Sequence, residues 1–141
     1  MDDLPTDGTY GATSGTEQRD SRALMEGLMV FSLRLEIDML RNEDQYANGD
    51  RSSLTLAKEV DFRALLSVLR PGATLDEQDG DARASIHVVE GGVTLTVGDE
   101  TAELGEGQLA VVDAGRPWTL TAATESAVLL TLAWPREKAG V

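Results

Sequence analysis

The chain has one histidine, His87. It is the obvious acid–base candidate. There is no cysteine, so thiolate nucleophiles, cysteine metal sites and disulfides are excluded. With a single histidine and no cysteine, nothing supports a serine or cysteine triad. The phosphate-binding Gly-Lys-Ser/Thr loop, the dinucleotide fingerprint and the serine elbow are all missing. Four carboxylates, Asp76, Glu77, Asp79 and Asp81, crowd one short stretch. They make either a solvated turn or a calcium or magnesium site, but they lack the Asp-x-Asp-x-Asp-Gly order of a regular calcium loop. Arg63, Arg70, Arg83 and Arg116 can pair with those carboxylates or with an anionic ligand, and spacing does not choose between the two.

The surroundings of these groups narrow the partners. The chain has 25 acidic and 12 basic residues, a formal net charge of -13. Such a surface repels phosphate backbones and anionic lipid, which argues against nucleic-acid and membrane binding. No apolar run reaches the roughly 18 residues that cross a bilayer. The acidic start MDDLPTDGTYG does not resemble a signal peptide, so a cytoplasmic location is expected. The length of 141 residues suits one domain with a real core.

The elements that must position the chemistry follow from periodicity. Residues 1–20 carry almost no large apolar side chain and are expected to form a flexible N-terminal tail. From Ser21 the spacing of Leu24, Leu28, Phe31 and Leu35 predicts a helix over 21–42. Its apolar arc is wide, so it must be covered on more than one side. It can pack outside the domain, make a dimer contact or lie over a ligand as a lid, where Met25, Met29 and Met39 would repack readily. The segment NEDQYANGDRSS reads as a polar connector with a turn at Asn48-Gly49. About nine short strand-like runs then fill 52–134 with no helix among them. A parallel βαβ sheet is excluded, because no crossover helix has room. An all-β barrel or sandwich with one N-terminal helix is expected. In the run ASIHVVEG, alternation puts Ala84, Ile86 and Val88 on one face and Ser85, His87 and Val89 on the other.

The glycines within this run fall at particular intervals. Gly72 and Gly91 bracket one block, and Gly107 and Gly115 bracket a second. That spacing resembles the two sequence motifs of the cupin superfamily. In register with the first motif, the two histidine positions fall on Gln78 and Gly80 and the glutamate position on Ala84. In the second motif, Gly107, Asp113, Gly115, Trp118 and Ala122 take the marked places, with Trp118 at the histidine. The stretch from Thr55 to Glu77 also looks like that of small single-domain cupins with a helix before the barrel.

The resemblance implies a double-stranded β-helix, or jelly-roll barrel, over residues 52–134, often dimeric and with a pocket at one mouth. It carries over no metal-binding residue. Gln78 is a neutral amide, Gly80 and Ala84 have no donor atom, and the Trp118 indole has no available lone pair. No cofactor is therefore expected. Trp118 should point into the barrel, either filling the space of the lost metal or forming an aromatic wall, with Gln78 offering hydrogen bonds to a ligand. If Ala84 faces the interior, His87 faces out.

Three functions stay open. The first is a metal-independent homodimer that binds a small, largely apolar organic ligand. The second is a metal-free isomerase or cyclase acting on a hydrophobic substrate. The third is a structural or regulatory dimer.

Overall fold

Alternation is the rule that builds this molecule. In the computed structural model, which describes residues 27–77 and 81–135, most strands turn alternate side chains into an apolar interior between two sheets. Two helices come first, α1 (Leu33–Arg41) and α2 (Asp44–Asn48). Nine strands follow among the described residues: β1 (Arg51–Glu59), β2 (Phe62–Leu69), β3 (Thr74–Glu77), β4 (Arg83–Glu90), β5 (Gly92–Val97), β6 (Glu100–Gly105), β7 (Leu109–Val112), β8 (Trp118–Ala122) and β9 (Ser126–Ala133). They form a five-stranded sheet in the order β1-β2-β9-β4-β7 and a four-stranded sheet in the order β3-β8-β5-β6. Every pairing is antiparallel.

Between the sheets lies one apolar core, built from Leu69, Ile86, Val88, Leu120 and Val128 with their neighbours. Fully burying a side chain of this kind contributes about 1.5–3 kcal/mol relative to leaving it in water. Loops join the sheets at both ends. Residues 113–117 link β7 to β8 at one end of the barrel, its mouth, where β3 ends at Glu77 and β4 begins at Arg83. The single glycine between β4 and β5 closes the other end.

The four glycines singled out by spacing all take a left-handed backbone, with φ of 89°, 90°, 85° and 85° at Gly72, Gly91, Gly107 and Gly115. Gly91 is the most constrained of them. A Cβ there would lie 2.8 Å from the Ser126 Cα and closer still to the Glu125 carbonyl and the Ser126 hydroxyl. That hydroxyl is fully buried and serves the same crossing, donating to and accepting from the Gly92 backbone.

The helical region is shorter than the periodicity predicts. Within the expected span 21–42, helix begins only at Leu33, and Gly27–Ser32 is not helical. Ser32 is extended, with φ -94° and ψ 105°, and its carbonyl accepts the first helical bond from the Glu36 N–H. The expected tail 1–20 and the helix start at 21–26 lie outside the described residues. α1 packs on the outer face of β1 and β2, where Ile37 and Leu40 join Leu54, Leu66 and Val68 in a second apolar cluster. This part of the chain is therefore outer packing, not a lid. Met39 and Leu35 stay exposed on its far side.

The polar connector is also more ordered than its composition suggests. It contains α2, and Tyr46 is only 3% exposed in the second cluster. The Tyr46 hydroxyl donates to Glu125, and the Arg70 guanidinium lies 4.6 Å over its ring. Burial and the Glu125 carboxylate both push the Tyr46 phenol above its ordinary value. Arg41 ties α1 to the same end of the sheet through a 2.8 Å bond to Glu90. Burial alone would lower the Arg41 guanidinium, but Glu90 and Glu125 carry it upward.

Gly91→Ala is expected to destabilise the fold by about 2 kcal/mol or more, from the left-handed backbone and the backbone collision together. Chemical denaturation at equilibrium measures it, and an effect near zero would mean that the β4–β5 crossing can relax.

Candidate functional site

β8 begins at the mouth and turns Trp118, Leu120 and Ala122 inward, while Thr119 stays exposed. Trp118 is 3% exposed and packs in the inter-sheet core. Its neighbours in register are Glu77 on β3 and Val97 on β5. Its indole Nε1 is buried and has no hydrogen-bond partner. Buried Trp N–H groups ordinarily find an acceptor, and leaving one without costs about 1–3 kcal/mol. Trp118 therefore faces the interior as expected.

The facing sheet supplies the other wall. Ala84, at 1% exposure, points into the core from β4, with Leu132 and Val112 beside it in register. His87 faces the opposite way. It sits on the outer face between Leu129 and Leu109, half-buried and outside the inter-sheet core, so it has no access to the barrel interior. An acid–base role inside the barrel is excluded for it by this geometry.

Gln78 and Gly80 lie outside the described residues, as does Asp79. Asp76, on β3, and Asp81 are exposed. No group of three or more histidine, cysteine or carboxylate side chains converges among the described residues. The four arginines part company. Arg70 stacks on Tyr46 and donates to its carbonyl, and Arg83 bonds Asp113 at 3.0 Å on the mouth loop. Arg116 approaches Gly98.

Arg63 alone of the four lies on the inner sheet face. Its strand partner Leu132 faces the core, and its guanidinium lies 5.2 Å over the ring of Trp134. The signal for this placement is in the sequence, since Arg63 shares its alternation with Leu65 and Leu69. It becomes readable only once the register with β9 is known.

The family model described as "Cupin domain" matches residues 65–134. The chain belongs to the cupin superfamily. Among solved structures it is similar to the conserved protein SPY1581 of unknown function from Streptococcus pyogenes, at 26% identity and TM-score 0.64 over 77% of this chain and 89% of that one. It is also similar to TT1209 from Thermus thermophilus, at 20% identity and TM-score 0.62 over 76% and 98% of the two chains. KdgF from Halomonas sp. is 19% identical, with TM-score 0.55 over 62% and 82%. The likenesses to TT1209 and KdgF carry the jelly-roll fold alone. Comparison with curated proteins gave no match.

The metal implied by this superfamily does not fit the residues present. At the glutamate position Ala84 has no donor atom, and at the last histidine position Trp118 offers an N–H with no lone pair. Both side chains nevertheless occupy the interior places that the motif assigns them. The cupin frame is kept here and its ligating chemistry is not.

Trp118→Phe is expected to change stability by about 1 kcal/mol or less, because lost contacts are offset by removing a donor that has no acceptor. Trp118→Ala should cost about 3–5 kcal/mol. Urea unfolding compares the two. A phenylalanine variant as unstable as the alanine variant would mean that the indole N–H is bonded in the folded protein.

Proposed function

We propose that this cupin is a metal-independent binding protein that takes a small, largely apolar organic molecule between its sheets at the mouth, next to Trp118. The observation that carries the reading is the Trp118 N–H, buried with a residue only 3% exposed and left without an acceptor. An apolar ligand bearing one acceptor oxygen would satisfy that donor and pack against Val97 and Leu132, which belong to the same apolar surroundings. Gln78 would add a second polar contact. The binding protein would act as a homodimer. Supporting this, Leu109 and Val111 stand 59% and 66% exposed on β7, beside His87, on sheet surface that α1 leaves uncovered.

Mass spectrometry of material released when the purified chain is denatured should find an organic molecule in stoichiometric amount. Gln78→Ala and Trp118→Phe should each lower its recovery severalfold while the barrel stays folded. Nothing released, together with an unchanged melting temperature across a small-molecule library, would count against the proposal.

A further inference from the structure

The mouth contains a second unsatisfied donor group, and its charge names the ligand more closely. One row of inward-facing positions crosses the five-stranded sheet at this end: Lys58, Arg63, Leu132, Ala84 and Val112. Lys58 reaches this face because the β1–β2 register shifts between Thr55 and Ala57. Without that shift, alternation from Leu54 would place it on the outer face with α1. The shift therefore sets two cations directly opposite each other, an arrangement that destabilises a sheet unless something neutralises it.

No protein group among the described residues does so. The ion pairs formed between described residues are those of Arg41, Arg51 and Arg83, and none of these includes Lys58 or Arg63. The Arg63 Nε is buried and has no hydrogen-bond partner, a strange condition for a guanidinium in a chain with 25 acidic residues. Trp134 holds it from one side by a cation–π contact, which leaves the Nε–H donor unspent.

Trp118 comes from the facing sheet at the same end. β7 finishes at Val112, in the Arg63 row, and the short loop 113–117 delivers the chain to Trp118. Two buried donors, one cationic, thus face the interior at one mouth, and both lack acceptors.

We propose that the barrel ligand is a carboxylate with an apolar body, its carboxylate held by Arg63 and the Trp118 N–H. This rests on the proposed ligand-binding function and goes further by assigning the charge. The planar guanidinium fork matches a carboxylate in two parallel bonds, and Trp118 donates to a free lone pair. Lys58, exposed on the edge strand, lends charge from the rim. A single carboxylate suits this end better than a phosphate dianion, because the rest of the row is Leu132, Ala84 and Val112, and these solvate no second charge.

The test titrates the full chain with matched probes, phenylacetate against phenylacetamide and hexanoate against hexanamide. Binding is followed through the two indole N–H signals by NMR, with Trp118→Phe and Trp134→Phe used for assignment. The carboxylates should shift both signals and bind about tenfold or more tightly than the amides. Arg63→Gln should bring carboxylate affinity down to that of the amides and leave amide affinity as it was. Arg63→Lys, which keeps the charge and loses the fork, should retain part of the preference. Equal affinity for both classes, or a preference that survives Arg63→Gln, overturns the carboxylate assignment and leaves the ligand-binding reading standing. If neither class moves the indole signals at millimolar concentration, both fall.

Discussion

Burial of the two inner sheet faces against each other is the interaction on which the rest of this molecule depends. Leu69, Ile86, Val88, Leu120 and Val128 interdigitate there, and strand alternation sends every other side chain to that seam. A fold held this way tolerates little that is polar inside. Between the sheets and away from the mouth, the Ser126 hydroxyl is paired with the Gly92 backbone and Ser53 with Ser67, while the buried Arg41 Nε, without a hydrogen-bond partner, lies outside that core, 3.8 Å from Glu125. The unpaired donors of Trp118 and Arg63 at the mouth break that rule. Groups that depart from the packing logic of their own fold are where function is to be sought.

The outer surface of the larger sheet shows the same logic with a different cover. α1 and Tyr46 seal the β1–β2 side, and the Arg41–Glu90 bridge pins the helix near the closed end. That bridge is partly exposed and contributes about 1 kcal/mol or less, so the apolar contacts of Ile37 and Leu40 decide where the helix sits. With α1 engaged on the outside, the mouth among the described residues is made by strands and the 113–117 connection.

Much of this was legible in the residues alone. The glycine intervals identified the turns because each turn needs a backbone with positive φ that glycine adopts without strain. Period-two alternation placed Ala84 inside and His87 outside, which removed the one histidine from the barrel chemistry. The helix was overextended because Leu28 and Phe31 continue a helical spacing, although Ser32 is extended and Leu28 is 79% exposed. Tyr46 was hidden in a polar segment, since its burial depends on Glu125 and Arg70 from distant parts of the chain. Arg63 could be named but not placed. Its neighbours Lys58 and Trp134 come from a register shift and a strand end, and neither follows from local pattern.

What separates this chain from a metal-dependent relative is therefore the chemistry of a few interior positions within an unchanged frame. On the proposed reading, the unpaired donors of Trp118 and Arg63 suit an organic acceptor better than a cation. Equilibrium dialysis of the full chain against zinc, manganese, nickel and ferrous iron, with the melting temperature read alongside, tests this most directly. The expected result is no stoichiometric retention of any of the four and no rise in melting temperature. Retention of one equivalent, abolished by replacing Gln78 or Trp118, would contradict it.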